Sequence, residues 1–460
     1  MQVHKVRARQ SFTLLERPLK LTAALSRRLQ KAIPRTVSRT LNTLPIIGKP
    51  GTSALRRRLA EALHSGARLD DELLARLDRQ LILPSADETD EETSRAAVQD
   101  YGQFLTRQDR WEELSALIHE VDQTRRATAC AMSHTELLCF GARADVIQAA
   151  EDAILDGANP SLEGIEALEE VLDEFPDDYA IAAIVALTHI DLGWVWRGGD
   201  WPHEIPERNL KLFEAHFDRA ASILGRFDHI TPTAPLIAAA RCALLAGRPL
   251  PAQRLADEYE KLITLDELNP RPMRALGHHM LPRWHGSYDL LELEARRTAS
   301  RTAKSWQNGG YTWVYWDALA IDPGAARIVD IDFFIDGMRD ILSLGSGQYH
   351  ANLMAAYVAI TMDPATLPET APDITLNLRK RINGTLDWIL SDYLYEVHPL
   401  VWAQAAMGHD AHAPLPMRKT LLRRGRITAR RTIARHFSDE ILRGTTIAFS
   451  PHGLRFYEPN

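Results

Sequence analysis

The chain has 460 residues, 45% of them hydrophobic and 25% charged, which is the composition of a soluble globular protein with room for two or three domains or one long repeat array. Its three cysteines, Cys130, Cys139 and Cys242, form no Cys-x-x-Cys pair, which excludes a disulfide framework and a zinc knuckle and points to a reducing, cytoplasmic compartment. The net charge of -7 is unevenly spread: residues 1–60 carry +13, residues 411–460 carry +7, and residues 61–410 carry -27. Two basic ends therefore flank an acidic body. One reading is that the ends lie against the body and neutralise it. The other is that they reach an anionic partner, nucleic acid or a membrane surface.

The first 50 residues form a basic arm. Leu21, Leu25, Leu29 and Ile33 recur every four residues, with Arg27, Arg28 and Lys31 between them, so a basic amphipathic helix is expected, stopped at Pro34. The same composition suits an organellar transit peptide, and no secretory signal is visible. A second region, 51–158, carries helical pattern from Ser53 to about Leu81, an acidic loop PSADETDEETS, and two or three further helices. Asn159-Pro160-Ser161 marks a boundary, with Ser161 expected to cap the next helix.

Residues 159–365 read as helix pairs. SLEGIEALEEVLDEF is followed by PDDYAIAAIVALTHIDLG, KLFEAHFDRAASILGRFD by TPTAPLIAAARCALLAG, and AQRLADEYEKLITLD by NPRPMRALGHHML. In each pair a proline opens the second helix, and in the first two small residues follow it, which allows close helix approach. Further pairs are expected at 288–307 with 311–321 and at 325–344 with 348–362. A helix at 374–396 belongs to the next region, 366–415, and a basic tail covers 416–460. No segment shows sustained strand alternation. The longest charge-free run, Ile341 to Met362, contains Gly345, Gly347, Gln348 and Asn352 and reads as two helices with a turn rather than a membrane span.

The pattern resembles a degenerate tetratricopeptide-type repeat over about 160–282. Its second-helix prolines, Pro176, Pro232 and Pro270, depart from a regular 34-residue period, the first gap being lengthened by WVWRGGDWPHEIPER at 194–208. The string LPRWHGS, with Leu281, Pro282, Trp284, Gly286 and Ser287, also resembles a bacterial domain-of-unknown-function family with an L-P-x-W-x-G-S corner. Both resemblances agree with the architecture expected from the residues: all-α, with antiparallel helix pairs stacked as a solenoid and, from the charge distribution, basic terminal extensions. Neither implies a chemistry.

The stretch LGHHMLPRWHGS holds His278, His279 and His285. His278 and His279 are adjacent on a helix and point about 100° apart, so convergence on a metal is not expected. A corner is: Pro282 stops the helix, Trp284 anchors the turn, Gly286 reverses the chain, and Ser287 caps the next helix. Cys130, His134 and Cys139 lack a fourth ligand and read as core residues. No cofactor and no metal are expected, and no phosphate loop, dinucleotide fingerprint or nucleophile elbow appears. Candidate partner-binding residues are Trp194, Trp196, Arg197 and Trp201 in the insertion and Tyr311, Trp313, Tyr315 and Trp316 in GGYTWVYWDALAID, since Trp, Tyr and Arg favour interface centres. Candidate anion-binding residues are Arg27, Arg28, Arg423, Arg424, Arg430 and Arg431. The leading expectation is a non-enzymatic helical-repeat scaffold that binds a protein. The alternatives are nucleic-acid or anionic-membrane binding through the basic ends, and an α-helical enzyme with a site around the three histidines.

Overall fold

The structure, a computed structural model, describes residues 57–61, 63, 71–198, 203–248, 251–345, 347–408 and 416–459. The basic arm with Arg27 and Arg28, and Trp201, lie outside the described residues. Among the described residues the chain forms helices almost throughout, as expected, together with one small sheet.

Helix α1 (Asp71–Gln80) runs directly into strand β1 (Leu81–Ile82). Helix α2 (Asp90–Arg107) begins on a capping box: Thr89 Oγ1 accepts from the Glu92 N–H, and the Glu92 carboxylate accepts from the Thr89 N–H. Helices α3 (Trp111–Thr124) and α4 (His134–Leu155) follow, with α4 packed on α2. The three pairs read from the sequence are α5 (Glu163–Glu174) with α6 (Tyr179–Arg197), α7 (Glu207–Gly225) with α8 (Pro235–Ala246), and α9 (Ala252–Leu265) with α10 (Pro270–His279). Ser161 does accept a hydrogen bond from the Glu163 N–H, at 3.3 Å, while the N-cap position falls on Leu162. Prolines open α8 and α10, but Asp178, whose carboxylate accepts from the Ala180 and Ile181 N–H groups, opens α6.

Beyond the corner lie α11 (Tyr288–Arg301), the short α12 (Ala303–Trp306), α13 (Gly309–Ile321) and α14 (Ile331–Ser343). Helix α15 (Gly347–Ala356) continues into a single π-helical turn, Tyr357–Thr361. The segment read as one helix over 374–396 is two, α16 (Asp373–Asn383) and α17 (Leu386–Asp392), separated at Gly384. The insertion expected over 194–208 is shorter than its sequence suggested, because α6 runs unbroken through Trp194 and Trp196 to Arg197. Helix α6 has the length and apolar composition of a membrane span, but 78% of its apolar window is buried inside the fold.

The C-terminal region is not an extension. Helices α18 (Pro399–Met407), α19 (Arg418–His436) and α20 (Ser438–Arg443) lead into strands β2 (Thr446–Ser450) and β3 (Gly453–Tyr457). Strand β2 pairs in parallel with β1, placing Leu81 opposite Ile447, and pairs antiparallel with β3. Gln80 donates from Nε2 to the carbonyls of Ile441, at 2.8 Å, and Thr445, at 3.4 Å. Val397 donates to the Pro84 carbonyl at 2.8 Å and Ala86 donates back to the Val397 carbonyl at 2.9 Å. The two ends of the described chain are thus joined through backbone. One hydrophobic core reflects this, joining Leu59, Leu73, Leu77 and Leu81 to residues between Ala238 and Phe449. A second core occupies α2 to α8.

The arginines of α19 lie along this seam. Arg418 faces Glu92, Arg426 pairs with Asp87, Arg430 with Asp78, and Arg435 with Asp363. Neutralisation of the acidic body is therefore the arrangement adopted by much of the C-terminal basic element. Each such partly exposed pair contributes no more than ~1 kcal/mol, so the seam is held by the strand pairing and apolar burial.

Close helix approach at the seam depends on Gly425. A Cβ there would lie 1.7 Å from the Pro399 carbonyl oxygen, where α19 crosses α18. Gly425→Ala is expected to cost about 1–3 kcal/mol through overpacking, read as a lower midpoint in chemical denaturation, whereas Gly225→Ala, whose Cβ meets nothing within 4 Å, should not.

Candidate interaction surface

The sheet order is β1-β2-β3, so β3 is an edge strand with no strand on its far side among the described residues. Its residues Arg455, Phe456 and Tyr457 are exposed, Phe456 by 50% and Tyr457 by 51%. Phe456 lies opposite Ile447, and Phe437 meets its edge at 6.0 Å, so one flank of the ring is fixed by the core and the other faces solvent. Arg455 lies opposite Ala448, which lies opposite Ile82, itself 51% exposed. The outer face of the sheet is therefore an apolar row ending on a cation, and Arg455 has no ion pair among the described residues. A cleft of about 210 Å³ opens beside the hairpin, lined by Gly453 and Pro451, by Gly345 and Gly347, and by Ser391 and Tyr395. Gly345 and Gly347 both hold positive φ (74° and 70°), where a side chain would be strained. An edge strand next to a cleft has the geometry that accepts an extended peptide as a further strand, its side chains entering the adjoining depression.

The sequence did carry a signal for this element. Thr446-Ile447-Ala448-Phe449 alternates, and Ser450-Pro451-His452-Gly453 is a turn sequence leading into Leu454-Arg455-Phe456-Tyr457. The dense arginines just before it drew the reading towards a basic tail.

The partner-binding candidates from the sequence that fall among the described residues lie away from this edge. Tyr311, Trp313, Tyr315 and Trp316 are all buried, because α13 is enclosed by α10, α11 and α14. Tyr311 and Tyr315 both donate to Glu292 at 2.7 Å, which fixes them as core polar contacts. Trp196 is buried, and Trp194 packs edge-on against Phe213 and Phe217. Arg197 sits over the Trp194 ring at 5.7 Å. As placed, Trp196, Tyr311, Trp313, Tyr315 and Trp316 are enclosed in packing, while Trp194 and Arg197 are half-buried. Of the anion-binding candidates on α19, Arg430 is engaged by Asp78, Arg431 is half-buried, and Arg423 and Arg424 are exposed.

The LPRWHGS stretch forms a tight reversal. Trp284 donates from its backbone to the Leu281 carbonyl, and His285 and Gly286 to the carbonyls of His279 and Leu281. A Cβ at Gly286 would lie 2.2 Å from the Met280 carbonyl oxygen. Ser287 Oγ accepts from the Leu290 N–H at 3.2 Å and caps α11. His278 and His279 are buried, with ring centroids 5.3 Å apart, and burial holds His279 neutral. Among the described residues no group of three His, Cys, Asp or Glu side chains is placed to hold a metal ion. Cys130, Cys139 and Cys242 are buried, and burial pushes the Cys130 and Cys139 thiols up to about 12.

A polar chain missed in the sequence links α5, α6 and α7. Arg219 donates from Nε to Glu169 at 2.6 Å, Glu169 lies 2.8 Å from His189 Nε2, and His189 Nδ1 lies 2.9 Å from His216 Nδ1. One nitrogen of that contact must be unprotonated, so the two imidazoles cannot both be charged. Burial, reinforced by His189, lowers His216 to about 4. The unfolded chain binds protons here at a higher pH than the folded one, so stability falls as pH drops from about 6.5 towards 4. The expected loss is at most about 3 kcal/mol, and His216→Gln should flatten the dependence of the melting temperature on pH in that window.

No family model, no curated protein and no solved structure matches this chain. The fold is helical with one small sheet, and its candidate surface rests on its own geometry.

Proposed function

We propose that this chain is a binding scaffold that recruits a protein partner, and that the partner adds an extended segment to the free edge of β3. The observation that carries the reading is the exposed stretch Arg455-Phe456-Tyr457 of edge strand β3, whose first residue, Gly453, lines a cleft. The partner segment suited to it is apolar at the alternate positions that share the face of Phe456, with a carboxylate on the opposite face placed to meet Arg455. We read the pairs α5/α6, α7/α8 and α9/α10 as a tetratricopeptide-like stack that holds this edge rigid. Support comes from the packing of α6 on α5, α7 and α8, and of α9 on α8 and α10. Binding of nucleic acid or anionic membrane through the C-terminal basic element is the weaker reading, because Arg418, Arg426, Arg430 and Arg435 are already turned towards the chain's own carboxylates.

The test compares the full chain with Phe456→Asp/Tyr457→Asp and with Arg423→Glu/Arg424→Glu in quantitative co-purification, with and without nuclease. The strand variant should lose its partner at least tenfold with an unchanged circular dichroism spectrum, while the arginine variant and nuclease treatment change nothing. Loss with the arginine variant or nuclease, and retention with the strand variant, would replace this reading with an electrostatic one.

A further inference from the structure

The cleft of about 210 Å³ at the β2–β3 hairpin has a chemistry of its own. Its volume is that of roughly seven water molecules at ~30 Å³ each, which suits a small organic molecule and is too small for a nucleotide. Three of its lining residues are buried and apolar: Leu342 near the end of α14, Ala351 on α15, and Leu394 just after α17. They form its floor. Tyr393 and Tyr395, both half-buried, line it as well. Gly345 and Gly347 stand where α14 turns into α15, and a Cβ at either would meet nothing within 4 Å. That side of the cleft is therefore bare backbone.

Much of the polar lining comes from the end of α17. A helix leaves its last carbonyls without helical donors. If α17 continued, the N–H groups of Tyr395 and Glu396 would reach the carbonyls of Ser391 and Asp392. Both instead donate to Gln348 Oε1, at 2.8 and 2.9 Å, while Gln348 Nε2 donates to the Tyr393 carbonyl at 2.8 Å. The carbonyls of Ser391 and Asp392 are thus left outside the helical ladder. The Ser391 carbonyl oxygen faces the hairpin, since a Cβ at Gly453 would lie 3.8 Å from it. The Ser391 hydroxyl donates to the Asp387 carbonyl at 3.0 Å, and the Ser450 hydroxyl donates to the Gly453 carbonyl at 3.0 Å. With those protons engaged, what these groups offer a ligand is mainly acceptors.

Charge then selects among ligands. Among the described residues that line the cleft, Asp392 is the one carboxylate, and none is Lys, Arg or His. Asp392 is exposed and has no ion pair among the described residues. The start of α15 and the end of α17 both border the cleft, and their dipole charges, about +0.5 and about -0.5, roughly cancel. The unit charge of Asp392 is left over, so a cation is favoured and an anion is opposed.

We propose that this cleft binds a small organic monocation, a primary amine on an apolar body, with its ammonium group between the Asp392 carboxylate and the Ser391 carbonyl and its body on Leu342, Ala351 and Leu394. An ammonium group has three N–H donors and no acceptor, which matches this lining. An apolar body with one placed polar group is what a small, apolar-floored cleft retains. A free amine and a lysine side chain of a partner share this chemistry, and the test separates them.

The test uses the full chain in ligand-observed NMR titrations and thermal shift. Benzylamine stands for a free amine and Nα-acetyl-lysine methylamide for a side chain. Benzyl alcohol, methylamine and benzoate are the comparisons. Benzylamine should bind saturably, one per chain, with a Kd of about 1 mM, ordinary for a ligand of its size. Asp392→Asn should weaken it about threefold, the scale of one exposed ion pair. Asp392→Lys, which sets the chain's own ammonium group at the site, should weaken it at least tenfold with an unchanged circular dichroism spectrum. Benzyl alcohol lacks the charge and methylamine lacks the body, so each should bind at least threefold more weakly, and benzoate should not saturate. Tighter binding of the lysine derivative than of benzylamine assigns the site to a partner's side chain, and the reverse assigns it to a free amine. No saturable binding of either amine up to about 20 mM overturns the proposal. So does binding that Asp392→Lys leaves unchanged, or benzyl alcohol or benzoate binding as tightly as benzylamine. Phe456→Asp/Tyr457→Asp should leave benzylamine binding intact, so the cleft and the strand edge are judged separately.

Discussion

The pairing of Leu81 and Ile82 with Ile447 and Ala448 is the constraint on which the rest of the structure depends. A helical stack needs no contact between its first and last members. Here α1 and β1 are drawn onto the C-terminal helices and hairpin, and one core crosses the join. Two parallel ladder residues, two donations from Gln80 and the backbone exchange at Pro84, Ala86 and Val397 fix the register. In this sheet β2 is enclosed between β1 and β3, which leaves the outer side of β3 unpaired among the described residues.

The acidic and basic segments fit this picture. Charge blocks far apart in sequence are brought together once the ends meet, and the α19 arginines find Asp78, Asp87, Glu92 and Asp363. Mutual neutralisation removes the repulsion that several arginines on one helix would otherwise impose. It adds little stability by itself, since such pairs are partly solvated. Its contribution is to favour this docking over others, because an apolar face alone does not select among acidic surfaces.

Much of the helical architecture was legible in the sequence. The helix pairs from α5 to α10 follow from 3.6-residue periodicity, opening prolines and turn residues, and the corner at 282–287 follows from Pro282, Gly286 and Ser287. What was not legible came from non-local packing. Tryptophan and tyrosine suit a core as well as an interface, and only the placement of α13 between its neighbours shows that Tyr311 to Trp316 face inward. Trp194 and Trp196 looked like loop residues because Gly198 and Gly199 follow them, yet α6 holds them against Phe213, Phe217 and the Arg208 guanidinium.

Strand β1 is only two residues long, and its partner lies more than 360 positions later in the chain. During synthesis, α1 and β1 emerge long before anything can pair with them. The acceptors for the Gln80 amide are likewise the carbonyls of Ile441 and Thr445. Loop-closure entropy over such a span opposes the contact until the intervening helices have collapsed and shortened the effective distance. Sequence separation on this scale favours forming the join after the intervening helices rather than as a nucleus. Until residue 448 is made, Leu77, Leu81 and the adjoining apolar face remain uncovered, so a nascent chain halted short of that point presents a sticky, chaperone-recognisable end that the finished protein conceals.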